Sequence, residues 1–273
     1  MLRTLLSFLP PNVLRFVGRL QYKVPVLRPF IEVAARRFAA ADGVIRHGVG
    51  AGLRFNASGS AAGYLLGTSE IGEQELLAKV LKPGDTFYDI GANVGFYSTI
   101  AARLVGPNGH VYAFEPYGPS AQMAKRNADL NAFSNVTVIQ TAIGSGEGTA
   151  RLQTPEGQLS THYRLAGGAS QPTLEVPITS IDIYAGPHKL RGPNVVMVDV
   201  EGGEIDVLRG MLNTVRSYRP TIMCEVHWTG DAFRALFVGY LAELGYEAST
   251  YDGNPLPTMT SRYHVLLRPG HHP

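Results

Sequence analysis

The sequence predicts an α/β fold: a doubly wound sheet, mostly parallel, with an antiparallel last strand pair and an N-terminal helical cap. Three observations carry this expectation. From Lys82 onward, short apolar runs of strand length alternate with longer stretches of helical period. Runs such as Val195–Val200 are apolar almost throughout, as strands covered on both faces are. The last two strand candidates are separated only by a turn region at Asp252–Gly253–Asn254–Pro255, too little chain for a helical crossover.

Composition agrees and excludes several classes. A chain of 273 residues fits one large domain or two small ones, and 45% apolar with 17% charged residues supplies a core and excludes disorder. No run reaches the ~20 apolar residues of a membrane span. The start, MLRTLLSFLPPNVLRF, resembles a signal peptide only loosely: its apolar run is broken by Pro10–Pro11, basic residues follow, and no clean small-residue cleavage site is expected. The single cysteine, Cys224, excludes an internal disulfide and a multi-cysteine zinc site; it reads as a buried thiol in a reducing, cytoplasmic setting. The net charge of +2 is small for a polyanion binder, so no nucleic-acid partner is assigned. The charge is uneven: residues 1–46 hold eight basic and two acidic side chains, and the rest hold 16 and 20.

Each element follows from its own pattern. Leu2, Leu5, Leu6 and Leu9 recur at helical spacing, and a second helical run covers Phe30–Ala40. Residues 1–47 therefore read as a basic amphipathic arm. It either packs on the main domain as a cap or makes peripheral contact with a membrane surface or carrier protein. The arm and the Gly/Ala/Ser-rich stretch after it give a first region of 1–70, and the main domain runs from 71 to 273. Glu70–Leu81 is a helix. Thr86–Ile90, His110–Phe114 and Val136–Gln140 are the first three strands of the main sheet. Phe96–Val105 and Ser120–Leu130 are the helices between them, with Ser120 placed as an N-cap. Residues 144–190, rich in Gly, Thr and Pro, break the rhythm as a β-rich insertion. Strand Val195–Val200, helix Glu204–Leu212, strand Thr221–Val226 and helix Ala232–Leu244 resume it. Strands Tyr246–Tyr251 and Tyr263–Arg268 close the chain.

The most informative stretch, Tyr88–Phe96, lies between the first main strand and its helix. In such sheets ligands bind beyond the carboxyl ends of the strands. Gly91 and Gly95 permit a sharp turn and close backbone approach. A phosphate loop needs a lysine that is absent here, and a dinucleotide loop needs glycine where Asn93 stands. Asp89 is awkward beside pyrophosphate but suits a cation. S-adenosyl-L-methionine carries an ammonium, a sulfonium and a ribose diol. Glu115, ending the second main strand before Pro116, is placed to accept the ribose hydroxyls. The cofactor set is thus Asp89, Gly91, Asn93, Gly95, Glu115 and Pro116.

Asp89–Ser98 (DIGANVGFYS), Ala113–Pro116 (AFEP) and Asp199–Glu204 (DVEGGE) together resemble the FkbM-type methyltransferase family, over about Glu73–Leu244 and more weakly through Gly50–Glu73. The resemblance implies a class I methyltransferase-like fold of seven strands, S-adenosyl-L-methionine as cofactor, and O-methylation of a small-molecule or sugar hydroxyl. The family usually carries Lys two residues before the aspartate of its D-V-E-G motif, where this chain has Met197.

The acidic end of the fourth main strand completes the candidate site. Alternation sets Asp199 and Glu201 on one side for as long as the strand persists. Glu204 starts the next helix, where a carboxylate suits the helix dipole, and reads as structural. Glu225 and His227 share a side at the end of the fifth main strand. Methyl transfer to a hydroxyl needs alignment, exclusion of water and a proton acceptor. Asp199, Glu201 and His227 are the catalytic candidates. No dense metal-ligand spacing is visible and no metal is assigned, although the carboxylates offer an alternative role in holding a divalent cation.

Other acceptors fit less well. No acidic or Asn residue with Pro-Pro-aromatic follows the fourth strand, as amino methylation of bases would require, and Cys224 lies within an apolar strand. Two further readings stay open: a non-catalytic scaffold that keeps the cofactor fold, and a nicotinamide-dependent oxidoreductase, against which the Gly91–Gly95 loop argues.

Overall fold

The structure is a computed structural model that describes residues 41–58, 62–153, 173–227, 230–256 and 262–270. The helices expected over residues 1–40, and with them most of the arm expected over 1–47, lie outside the described residues, as does the middle of the 144–190 insertion; at the end of the arm Gly43–Val44 is a strand, not helix.

A short ladder of β1 (Gly43–Val44) with β2 (Arg54–Phe55) precedes α1 (Ala62–Leu66) and α2 (Ile71–Val80). The alternating series then begins with β3 (Thr86–Ile90), α3 (Phe96–Val105), β4 (His110–Phe114), α4 (Gly118–Leu130) and β5 (Val136–Ile139). Three strands form a small separate sheet in the order β6-β8-β7: β6 (Ala142–Ile143), β7 (Gly148–Gln153) and β8 (Thr173–Thr179). There follow α5 (Ile181–Tyr184), β9 (Val195–Val198), α6 (Glu204–Arg209), α7 (Leu212–Tyr218), β10 (Thr221–His227) and α8 (Gly230–Leu236). A π-helical turn at Phe237–Leu241 leads to β11 (Tyr246–Thr250) and β12 (Arg262–Pro269).

The main sheet has seven strands in the order β11-β12-β10-β9-β3-β4-β5. From β10 to β5 every neighbour is parallel, and β12 runs antiparallel to both β10 and β11. This is the class I methyltransferase-like architecture that the sequence predicts. Every residue of β3 is buried, because both faces of the sheet are covered. Phe87, Val111, Met197 and Met223 join Leu77 of α2 and Ile100 of α3 in one core. Tyr88, Phe114, Val196 and Cys224 join Leu208 of α6, Val215 of α7 and Phe233 of α8 in the other. Each large apolar side chain so buried contributes roughly 1.5–3 kcal/mol relative to exposure. Ile45, Leu53 and Phe55, from the segment before α1, are part of the first core.

Four local expectations are corrected. The helix expected from Ser120 starts at Gly118, because Pro119 suits the first turn; Ser120 is buried within α4 and does not cap it. The single helix expected over Glu204–Leu212 is two, α6 and α7, divided at Gly210. A Cβ on Gly210 would stand 2.0 Å from the Gly144 carbonyl oxygen, so the backbones meet there. The last helix passes into the π-helical turn, its α-helical ladder broken after Leu236. The fourth main strand ends at Val198, two residues early.

Candidate active site

The sheet's connections reverse direction between β3 and β9, and a crevice opens at their carboxyl ends. A cavity of about 330 Å³ lies there, lined on one side by Gly91–Val94, Glu115 and Pro116 and on the other by Asp199–Glu201, Gly203, Glu70 and Arg262.

The first wall is shaped by its backbone. Gly91 and Ala92 both donate to the Phe114 carbonyl at 3.0 Å, tying the loop to the end of β4. Gly91 has φ +89°, and a Cβ on it would stand 1.8 Å from the Asp199 carbonyl oxygen. Only glycine permits so close an approach in that conformation. Gly95 has φ +77° and packs against Ala124 of α4, where a Cβ would come within 2.8 Å. Asn127 of α4 donates from Nδ2 to the carbonyls of Val94 and Asn56, fastening the loop to the segment before α1.

Glu115 accepts from the Asn93 N–H through Oε2 and from the Tyr117 N–H through Oε1, each at 2.8 Å. Burial pushes its carboxyl up to about 7. A carboxylate has about four lone-pair directions, so further hydrogen bonds from the cavity can be accepted. Asn93 and Pro116 line the cavity beside it. Asp89 is not among the lining residues. It is buried beneath the loop and accepts from the Ser98 hydroxyl in the first turn of α3, and burial pushes its carboxyl up to about 6.

The second wall gathers charge. Asp199 continues the ladder by one N–H, donated to Ile90, and the chain then leaves the strand. Glu201 takes φ +53° and Gly202 φ +109°, so a left-handed turn, not strand alternation, brings Asp199 and Glu201 together. Glu204 is fully buried; its Oε1 accepts from the Gly202 N–H and lies 2.8 Å from Nδ1 of His227. Nε2 of His227 lies 3.6 Å from both Glu201 Oε2 and Glu225 Oε1. Glu225 pairs with Arg262, and β12 sets His264 opposite Glu225. One oxygen or nitrogen each from Asp199, Glu201 and His227 lies within 4.8 Å of the others, a spacing that suits a cation. Burial pushes the Asp199 carboxyl up, against the pull of His227. Burial disfavours the His227 imidazolium, but the hydrogen bond to Glu204 and the charges of Glu201, Glu204 and Asp199 outweigh it and raise its pKa.

Access separates these groups. Asp199 and Glu201 line the cavity, whereas His227 is 1% exposed and stands behind them. Met197, at the family's lysine position, is buried in the first core, opposite Asp89 and Met223 in the sheet register. Glu70, Tyr64 and Arg262 line the cavity without having been singled out from the sequence. Glu70 accepts from the Tyr97 hydroxyl at 2.7 Å, and Tyr64 stacks on Phe96 with ring centroids 4.6 Å apart. Arg262 reaches the site only through the antiparallel register of β12. Glu204 had a visible signal, its place three residues after Glu201, but the signal reads equally as a helix-start carboxylate.

Residues 89–248 match the family model described as a methyltransferase FkbM domain. The hexuronic acid methyltransferase AglP of Haloferax volcanii is 29% identical over 160 residues, which cover 57% of this chain and 63% of that protein. The protein-L-isoaspartate O-methyltransferase of Methanothrix thermoacetophila is 31% identical over 98 residues, 36% of this chain and 42% of that protein. The crystal structure of an FkbM methyltransferase from Methylobacillus flagellatus KT is 16% identical, covers 76% of this chain and 53% of that one, and has a TM-score of 0.44. The chain thus spans less than two thirds of the length of each of these relatives.

Proposed function

Because the chain belongs to the FkbM methyltransferase family, we propose that it is an S-adenosyl-L-methionine-dependent methyltransferase acting on a hydroxyl of a sugar or other small molecule. One observation carries the reading: a backbone-shaped wall with a buried carboxylate and a wall rich in proton acceptors share a single cavity. When bound, S-adenosyl-L-methionine supplies a methyl group activated on a sulfonium. Gly91, Asn93, Gly95 and Pro116 would shape its seat and Glu115, held by the Asn93 N–H, would accept its ribose hydroxyls, while Asp89 holds the loop from beneath through Ser98. Transfer of that methyl group to an acceptor hydroxyl would release the hydroxyl proton, which a carboxylate of the second wall would accept. Asp199 and Glu201 fit that role because they line the cavity. His227, anchored by Glu204, stands behind Glu201 and supports the proton-accepting wall electrostatically.

The hexuronic acid in the name of the Haloferax relative supports a sugar acceptor. Arg262, the one cation among the described lining residues, can meet an acidic sugar. The excess of eight basic over two acidic residues in 1–46 supports peripheral contact with an anionic membrane surface; among the described residues no helix is long and apolar enough to cross one.

Calorimetry with S-adenosyl-L-methionine and NAD, followed by labelled-methyl transfer to uronic acids and neutral sugars, tests the reading. We expect the first ligand to bind, NAD not to, and label to appear on a sugar oxygen. Asp199→Asn is expected to lose ~10²–10⁴-fold in turnover with cofactor affinity retained. NAD binding without S-adenosyl-L-methionine binding would overturn the reading.

A further inference from the structure

We propose that Asp199, Glu201 and His227 form a binding site for a divalent cation, of the Mn²⁺ or Zn²⁺ kind, at the acceptor end of the cavity. The inference rests on the transferase reading only for what the cation does, not for whether it binds.

Two segments supply the ligand atoms: the turn after β9 gives Asp199 and Glu201, and the end of β10 gives His227. A carboxylate oxygen accepts a hydrogen bond, so the 2.8 Å contact with Glu204 Oε1 puts the ring hydrogen of His227 on Nδ1. Nε2 then faces Glu201 Oε2 at 3.6 Å, where a cation would displace the imidazolium proton. That distance is too long for a hydrogen bond. It matches two ligands of one cation: bonds of about 2.1 Å opened to about 110–120° set the ligand atoms roughly 3.4–3.6 Å apart. An imidazole held at one nitrogen by a buried carboxylate, with its other nitrogen toward a ligand cluster, is the usual arrangement around a protein-bound metal.

A second observation comes from the third ligand. Oδ1 of Asp199 is buried and has no hydrogen-bond partner among the described residues. A buried carboxylate oxygen left so is costly and calls for an ion or another ligand to answer it. One imidazole with two carboxylates favours a first-row divalent ion over Ca²⁺, which prefers oxygen alone. Asp199 and Glu201 both line the cavity, so the ion would have an open side toward the acceptor.

The consequence for transfer is twofold. A cation beside the acceptor hydroxyl lowers its pKa and stabilises the developing alkoxide. It also offsets the charge of a cavity lined by Glu70, Glu115, Asp199 and Glu201 against Arg262, and so admits an acidic sugar.

The test is Mn²⁺ titration of the full chain, stripped with chelator and free of S-adenosyl-L-methionine, followed by electron paramagnetic resonance. One Mn²⁺ per chain is expected, displaced by Zn²⁺. Glu201→Gln and His227→Gln should weaken binding at least tenfold. Glu204→Gln, which only loosens the imidazole, should weaken it by about 10–100-fold. Asp129→Asn, at an exposed position on α4, should leave it unchanged. Thermal melts accompany each variant, and Glu201, in a turn, is the substitution least able to unfold the chain. No Mn²⁺ binding by the folded parent, or equal binding by Glu201→Gln and His227→Gln, would overturn the site. Mn²⁺ binding without S-adenosyl-L-methionine binding would uphold the site and overturn the transferase reading instead.

Discussion

The wall built from Gly91–Gly95 and Glu115 and the wall built from Asp199–Glu204 and His227 face each other across one cavity, yet they answer their polar groups differently. On the first, each named group has a neighbour. Glu115 receives two backbone N–H groups, Asp89 receives the Ser98 hydroxyl, and the Gly91 and Ala92 N–H groups meet the Phe114 carbonyl. On the second, Glu201, Glu204 and Glu225 crowd one imidazole, and buried oxygens of Asp199 and Glu204 have no hydrogen-bond partner among the described residues. The first wall is complete once folded, and its contribution is shape. The second holds charge that folding alone does not neutralise. Such an arrangement costs stability and persists where chemistry uses it.

The largest effect should come from disturbing the shaped wall. Gly91→Ala combines a left-handed φ with a Cβ 1.8 Å from a backbone oxygen. Strain and overpacking together should remove about 3 kcal/mol or more of stability and abolish S-adenosyl-L-methionine binding. Urea unfolding and calorimetry measure both. Retention of both would mean that this wall is not rigid, and the contrast with the acidic wall would lose its basis.

Glu115 sharpens the contrast through pH. Its carboxyl is raised from 4.5 to about 7 by burial, so in the unliganded protein its stabilising contribution is full below pH 4.5. That contribution, roughly 3 kcal/mol at most, is lost as pH rises through about 7. Binding should run the other way, because ribose hydroxyls need the ionised acceptor: affinity should climb as pH passes through about 7. Glu115→Gln should flatten this climb and weaken binding at pH 8 by ~1.5–3 kcal/mol. Calorimetry between pH 5.5 and 8.5 reads both; an unchanged climb in the variant would remove Glu115 from the ribose.

The smallest effect is expected on the acidic wall. Glu201→Gln relieves carboxylate crowding near His227 and should leave stability within about 1 kcal/mol of the parent, or above it. A melt in chelator tests this. A large loss would show that the acidic wall is also part of the folded framework.

What the sequence determined by itself was local. Phe96–Val105, Thr86–Ile90 and His110–Phe114 are found with the bounds the pattern predicts, because apolar period and glycine turns act over a few residues. The Gly91–Gly95 loop and Glu115 were legible for the same reason: each sits at a strand end that short-range signals mark. The three catalytic candidates were also named from strand ends, but for Asp199 and Glu201 by an alternation that stops at Val198. Tertiary structure decided the rest. A left-handed turn at Glu201 made the acidic pair, the buried Glu204 aimed His227, and that histidine stands behind the cavity wall. Arg262 arrived from β12 by antiparallel register, 37 residues along the chain from its partner Glu225. Burial and ligand geometry are sums over groups distant in sequence, and only the folded sheet brings those groups within a few ångströms of one another.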